Sequence, residues 1–184
     1  MVRFPSMLSV ALLAIGCSKS EPVPVESSNQ PPVHQNSPWI VPGRERPPTQ
    51  TVDEAELPDD ARVIGVVADG KARAYWQQPM FNPANHIIND LYGDVPITVT
   101  YCDRTDCVRV FTDETRGKPL KVGLMGYENG LLLRLDERGY HQENGRSMVS
   151  DSTETFPYAD YPSEVTTWKA WKTAHPGTDV FTGK

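Results

Sequence analysis

The sequence has little of what usually marks an enzyme or a nucleic-acid-binding protein. Only three of its 184 residues are cysteine. It has 18 basic and 24 acidic residues, which gives a net charge of −6. A nucleic-acid-binding domain needs a basic surface to neutralise phosphates, so this balance argues against that class. A P-loop, a Gly-x-Ser-x-Gly motif and a His-Glu-x-x-His motif are all missing. We therefore assign no catalytic residue and lean towards a protein that is not an enzyme, while leaving that question open.

A hydrophobic run of membrane-spanning length is missing too. The longest apolar stretch runs only from Met7 to Ile15, whereas about 20 residues are needed to cross a bilayer. It leads into Leu13-Ala14-Ile15-Gly16-Cys17, which resembles the lipobox of bacterial lipoproteins. We predict a signal peptide over residues 1–16 and lipidation of Cys17. The chain would then be anchored in the bacterial cell envelope outside the cytoplasm, and Ser18 favours the outer membrane.

Residues 17–52 show no regular spacing of apolar side chains. Eight prolines lie between Glu21 and Gln50, interleaved with Ser, Asn and Gln. Such a segment cannot bury enough apolar surface to offset the entropy of ordering it. We predict a disordered, extended tether over residues 17–52 and a single globular domain over residues 53–184.

From residue 53 the sequence changes to short apolar runs separated by turn residues. Two of these runs, Arg62–Ala68 and Lys71–Trp76, flank Asp69-Gly70, which is a typical two-residue hairpin turn. Further strands are predicted at residues 86–91, 95–102, 108–112, 120–125 and 131–135.

One helix is predicted near the C-terminus. Thr166 or Thr167 can cap its start, Trp168 and Trp171 share one face, and His175-Pro176 ends it. The expected fold class is α+β: mostly antiparallel β, as a sandwich or a partly open barrel of hairpins, with one C-terminal helix.

Cys102 and Cys107 remain once Cys17 is assigned to lipid. If residues 103–106 form a four-residue hairpin loop, the two cysteines face each other across a strand pair. Period-two alternation then puts Ile97 and Val99 on the core face. The cysteines fall on the opposite face, which we expect to lie outside the hydrophobic layer.

Several segments occur in the same order as in one bacterial family. They are Val63-Ile64-Gly65-Val66, Ala72-Arg73-Ala74-Tyr75, His86-Ile87-Ile88-Asn89-Asp90, Gly93 to Cys102, and Thr166-Thr167-Trp168 with Trp171, His175-Pro176 and Thr178. From about residue 60 to the end the chain resembles the family catalogued as domain of unknown function 3179. The resemblance implies no activity, because the family lacks an established biochemical role.

The sequence departs from the pattern of this family at two places. Many members carry Thr-Tyr-Cys-Pro-x-Cys, whereas four residues separate Cys102 and Cys107 here, and the usual His-Glu appears as His86-Ile87. These departures weaken any inference from the family to metal or redox chemistry in this chain.

Three interpretations of the cysteine pair remain open. We favour a disulfide between Cys102 and Cys107, since exported thiols tend to oxidise. A metal site would use both thiolates with His86 and either His141 or His175, and would suit copper or zinc. A dithiol redox site is the third interpretation, and it is disfavoured because the pair lies on a strand hairpin with two acidic neighbours.

We therefore predict a lipid-anchored extracytoplasmic binding or accessory domain that needs no cofactor. One alternative is a metal-dependent or thiol-redox oxidoreductase centred on Cys102, Cys107 and His86. Another is a structural surface lipoprotein stapled by the hairpin disulfide. The expected partners are the membrane, through the lipid anchor, and an unidentified protein or small molecule, with no role for nucleic acid.

Overall fold

The computed structural model describes residues 40–184, and within them the expected fold class is confirmed. The strands are β1 Val41–Pro42, β2 Arg44–Glu45, β3 Gln50–Thr51, β4 Arg62–Ala68, β5 Lys71–Trp76, β6 Ile87–Tyr92, β7 Val95–Cys102, β8 Cys107–Thr112, β9 Val122–Tyr127, β10 Leu131–Leu135, β11 Arg138–His141, β12 Ala159–Asp160, β13 Glu164–Thr167 and β14 Asp179–Phe181. Two 3-10 turns, Gln78–Phe81 and Pro83–Asn85, precede β6. Helix α1, Trp168–Ala174, precedes β14.

The strands form three sheets, none of which closes into a barrel. The first sheet has the order β1-β9-β10-β11, the middle sheet β12-β8-β7-β6-β2, and the third sheet β13-β4-β5-β14-β3. Pairing is antiparallel except between β2 and β6 and between β14 and β5. These two parallel pairs join strands far apart in sequence, which no local turn signal could have indicated.

The middle sheet is buried on both faces. Ile97 and Val99 pack with Ile64 and Tyr75 of the third sheet. Phe111 and Cys102 lie on the other face and pack with apolar side chains of the first sheet. The expectation that the cysteine face lies outside the hydrophobic layer is therefore wrong, because a sheet covers each side of this hairpin.

The predicted turn and helix signals are confirmed. Asp69 and Gly70 both have positive φ, at 49° and 68°, and join β4 to β5. Thr167 caps α1, its side-chain oxygen accepting a hydrogen bond from the Ala170 amide at 3.3 Å. Trp168 and Trp171 pack on the outer face of the third sheet, so that α1 forms a fourth layer.

The predicted domain boundary at residue 53 is too late. Residues 41–51, which we call the strap, contribute β1 to the first sheet, β2 to the middle sheet and β3 to the third. The strap crosses from sheet to sheet in strands of two residues, which are too short to show an apolar period. It is held instead by backbone and polar contacts, such as the hydrogen bond from the Arg46 amide to the Asn89 carbonyl at 2.9 Å. The remainder of the predicted tether, residues 17–39, lies outside the described residues.

Candidate functional site

The hairpin of β7 and β8 carries the loop at the centre of the site. Its register agrees with the prediction: Cys102 pairs with Cys107, which leaves a four-residue loop over residues 103–106. The Arg62 guanidinium donates to the Asp106 carboxylate at 3.1 Å, and the Tyr101 hydroxyl donates to it at 3.2 Å. One side of the loop is therefore fixed to the third sheet.

His86 approaches the other side of the loop. It follows the second 3-10 turn, and its carbonyl accepts a hydrogen bond from the Tyr101 amide at 2.9 Å. This bond holds the His86 backbone beside the end of β7. The imidazole is fully buried, so its position is set by its surroundings and not by solvent.

The imidazole of His86 and the carboxylate of Asp103 form an incomplete polar pair. Nε2 of His86 lies 3.5 Å from Oδ1 of Asp103, which is longer than a good hydrogen bond. Three buried atoms, the two ring nitrogens of His86 and Oδ1 of Asp103, make no hydrogen bond of normal geometry. Burial lowers the pKa of His86, while the Asp103 charge and the nearby Met80 backbone carbonyl partly oppose this shift. The imidazole and the carboxylate oxygen therefore face each other without a well-formed hydrogen bond between them.

Tyr127 and Arg104 close the side of this pair towards the first sheet. The Tyr127 ring meets the His86 ring edge to face, with 5.8 Å between centroids. The Arg104 guanidinium lies 3.8 Å from the Tyr127 centroid, within cation–π range. Burial raises the pKa of Tyr127 to about 12, so its hydroxyl stays protonated at neutral pH. We call His86, Asp103, Arg104 and Tyr127 the loop cluster.

The predicted disulfide between Cys102 and Cys107 is not formed in the structure, because Cys102 is a free and fully buried thiol. The Cys107 carbonyl accepts a hydrogen bond from Nε2 of Gln142 at 3.2 Å. Facing positions on a hairpin are thus not sufficient for a bond between two cysteines. Both cysteine side chains belong to the apolar cluster that packs against the first sheet.

The other histidines are not brought to the cysteines. His141 lies on β11 of the first sheet, and the His175 ring packs 4.0 Å from the Trp171 ring at the end of α1. Among residues 40–184, no group of three or more His, Cys, Asp or Glu side chains is placed to hold a metal ion. The predicted set of Cys102, Cys107 and His86 with a further histidine is therefore not assembled as a metal centre in the described part of the chain.

Sequence reasoning singled out His86 but missed Asp103, Arg104 and Tyr127 as its neighbours. Asp103 entered only as an acidic neighbour of the cysteines. Tyr127 belongs to the next sheet, and its approach to His86 depends on how two sheets stack. No local pattern in the sequence encodes that stacking.

The signal peptide and Cys17 lie outside the described residues. Within residues 40–184, no helix is both long and apolar enough to cross a membrane.

Comparisons with known proteins give a family and nothing more specific. The family model described as a protein of unknown function, DUF3179, matches residues 38–184. This span includes the whole strap and begins well before residue 60, where the segments that resemble the family begin. No curated protein matches the chain, and no solved structure matches it.

Proposed function

We propose that this chain, which belongs to the DUF3179 family, functions as a lipid-anchored, extracytoplasmic binding or accessory domain. The ligand would be held at the loop cluster. Lipid on Cys17 would keep the domain at the cell-envelope membrane, with the outer membrane favoured.

One observation supports a binding site at the loop cluster. Only five buried side-chain nitrogen or oxygen atoms in residues 40–184 lack a hydrogen-bond partner, and three of them belong to His86 and Asp103. An unpaired buried polar group costs about 1–3 kcal/mol, so such groups are rare unless a ligand or water completes them. Their concentration in one pair supports a site that is completed by something outside the chain.

The chemistry of the pair limits what can complete it. Because burial keeps His86 neutral, one of its ring nitrogens accepts hydrogen bonds, and the Asp103 carboxylate is purely an acceptor. A ligand group that donates hydrogen bonds, such as an amine or a hydroxyl, satisfies both atoms. The Tyr127 ring then offers an apolar surface to the rest of the ligand.

The oxidoreductase alternative has weaker support. Cys102 is fully buried, whereas a reactive thiol needs access to its substrate and an electropositive environment. A purely structural role does not account for the unpaired atoms, because replacing them with apolar groups would be more stable.

The binding site is tested with three small probes and nuclear magnetic resonance of the full chain labelled with 15N-histidine. Methylammonium donates hydrogen bonds, ethanol both donates and accepts them, and acetate only accepts them. We expect methylammonium and ethanol to shift the His86 ring signals, and acetate to leave them unchanged. Equal responses to all three probes, or no response to any, would refute the site.

Asp103→Asn is the matched variant. Its amide supplies a donor to His86 from within the chain, so methylammonium should no longer shift the His86 signals. Asp94→Asn, at an exposed turn, is the control and should respond as the unaltered chain does.

The anchor is tested separately. Cys17→Ser should release the chain from membranes into the soluble fraction, because an acyl chain adds about 0.8 kcal/mol of membrane affinity per buried methylene. A variant that stays with membranes after a carbonate wash would contradict lipidation while leaving the binding site unaffected.

A further inference from the structure

We infer that the ligand of the loop cluster is a primary ammonium group on an unbranched alkyl stem, and that the Arg104 side chain covers the site until this ligand displaces it. The inference rests on the proposed function, because it names the class of ligand at the same site. Its starting point is the Arg104 guanidinium, a cation that already lies on the cluster.

Arg104 is held on the cluster by its contact with an aromatic ring. Its guanidinium lies 3.8 Å from the Tyr127 centroid, whereas its side chain makes no hydrogen bond or ion pair within the described residues. Arg104 is exposed, and cation–π contacts at exposed sites are weak. The guanidinium can therefore leave the ring at little cost in free energy. The face of Tyr127 is thus a position for a cation whose present occupant is replaceable.

The negative charge beside this ring has no matching cation. Asp103 forms no ion pair with a lysine or arginine in the described part of the chain, and its neighbour at 3.5 Å is the imidazole of His86. Burial outweighs the Asp103 charge and the Met80 carbonyl and lowers the pKa of His86, so this imidazole is neutral at pH 7. Arg62 also reaches the loop, but it is paired with Asp106 at 3.1 Å. A cationic ligand would supply the charge that balances Asp103.

The ring, the imidazole and the carboxylate lie close enough together to contact one small group. The His86 and Tyr127 centroids are 5.8 Å apart, and His86 lies 3.5 Å from Asp103. Burial raises the pKa of Tyr127 to about 12, and the Asp103 charge adds to this effect while the Arg104 charge opposes it. Both charged side chains therefore lie near this ring. A group that takes the place of the Arg104 guanidinium also meets Asp103 and His86.

The unpaired atoms favour a primary ammonium over other cations. Such a group carries three hydrogen-bond donors, enough for Oδ1 of Asp103 and for the acceptor nitrogen of His86. A quaternary ammonium has the charge without a donor, and an alcohol has a donor without the charge. Because His86 is fully buried, the ligand must be as slim as the Arg104 side chain that it displaces. This condition favours an unbranched alkyl stem, as in free alkylamines and in the lysine side chains of proteins.

Three probes with the same four-carbon stem test the class of ligand. The n-butylammonium ion has charge and donors, butan-1-ol has a donor without charge, and butyltrimethylammonium has charge without a donor. Their affinities are measured at pH 7.5 from the His86 ring signals of the full chain labelled with 15N-histidine. We expect n-butylammonium to bind at least about tenfold more tightly than either of the other two probes.

The displacement of Arg104 is measured directly. Protons above the face of an aromatic ring are shielded by its ring current, so the Nε proton of Arg104 should resonate upfield in the free chain. In a chain labelled with 15N-arginine, n-butylammonium should move this signal towards the position typical of a solvated arginine, in step with the His86 signals. An Arg104 signal that stays fixed at saturating n-butylammonium would show that Arg104 does not cover the site.

Four variants separate the contributions to binding. Arg104→Gln removes the competing cation and should tighten the binding of n-butylammonium about threefold or more. The exposed control Arg46→Gln makes the same change in net charge and should leave the affinity unaltered. Tyr127→Leu should remove most of the preference for n-butylammonium over butan-1-ol. Tyr127→Phe keeps the aromatic face and should retain this preference.

The probes distinguish failure of this inference from failure of the proposed function. If butan-1-ol shifts the His86 signals with the same affinity as n-butylammonium, the inference is wrong while the binding site remains. Equal affinity for butyltrimethylammonium would likewise exclude a primary ammonium. If none of the probes shifts the signals, the proposed function fails as well.

A further probe, Nα-acetyl-lysine methylamide, identifies the source of the ammonium group. Binding as tight as that of n-butylammonium would support the lysine side chain of a partner protein. Binding at least about tenfold weaker would support a free alkylamine, because the peptide groups then obstruct entry past the loop. Either result supports a primary ammonium at the loop cluster.

Discussion

The polar groups around Arg73, which are partly buried, and those around His86 both lie against the middle sheet, but they differ in their hydrogen bonds. The Arg73 guanidinium donates to both carboxylate oxygens of Asp179, at 2.6 and 2.7 Å, and to Asp90 at 2.7 Å. The Tyr75 hydroxyl also donates to Asp90, at 2.7 Å. In the loop cluster, by contrast, the carboxylate and imidazole lie 3.5 Å apart and form no hydrogen bond of normal geometry.

The difference shows how to interpret buried charge in this fold. Burial raises the pKa of Tyr75, which therefore remains a hydrogen-bond donor, and the Asp90 charge has a partner on each side. Such a network can be explained by stability and specificity alone. The loop cluster cannot, because its unpaired atoms cost stability. We therefore treat the first network as structural and the second as a binding site.

Asp90→Ala should have the largest effect, because it removes the acceptor for both Arg73 and Tyr75. Breaking a buried charge pair on one side costs about 3–5 kcal/mol. Urea denaturation of the full chain measures this loss. The exposed Asp60→Ala variant should change the free energy of unfolding by no more than about 0.5 kcal/mol. A loss at Asp90 as small as that of the control would mean that the network is not structural.

Arg44→Ala tests whether the strap supports the loop cluster. The Arg44 guanidinium donates to Oδ1 of Asn85 at 3.0 Å and to the Gly183 carbonyl at 3.2 Å, and Asn85 directly precedes His86. Charged hydrogen bonds contribute about 1.5–3 kcal/mol, and partial exposure places this loss at the lower end.

Hydrogen exchange of the His86 and Ile87 amides should also become faster in Arg44→Ala. The exposed Lys71→Ala variant serves as the control. If the stability falls while exchange at these two amides is unchanged, the strap stabilises the fold without positioning the cluster.

The difference between local and long-range contacts explains how much of the fold the sequence could predict. The β4–β5 hairpin, the register of Cys102 and Cys107 and the helix cap at Thr167 follow from local patterns, and each was predicted correctly. The strap was not predicted, because its two-residue strands are held by contacts such as Arg44 with Gly183, which join the two ends of the described chain. Gly43 carries no recognisable signal either, although a Cβ there would clash with the Val122 carbonyl.

The candidate site was predictable only in part, for the same physical reason. His86 stood out as a histidine at the start of an apolar run, but its partner Asp103 lies in a loop and Tyr127 lies in another sheet. The disulfide prediction assumed an exposed hairpin face. That assumption failed because the first sheet covers it.

Asp103→Asn should have a smaller effect and in the opposite direction. Its amide can donate to the unpaired His86 nitrogen, and a typical hydrogen bond adds about 0.5–1.5 kcal/mol. The variant should therefore unfold at higher urea concentration than the unaltered chain. Asp90→Asn should instead destabilise, because an amide disrupts a network that is already complete. Destabilisation by both substitutions would remove the distinction between the two regions.

The smallest expected effect is a pH dependence that belongs to His86. Burial lowers its pKa in the folded state below the unfolded value of about 6.5. Stability is then complete above pH 6.5, and it falls as the pH drops through this value, since the unfolded imidazole takes up a proton before the folded one does. Asp103→Asn should enlarge this acid loss, because the carboxylate partly offsets the effect of burial. The test is the urea midpoint measured between pH 5 and 8 in two further variants. His141→Gln should keep the acid loss of stability, and His86→Gln should reduce it. An acid loss of equal size in both glutamine variants would show that His86 is not its source.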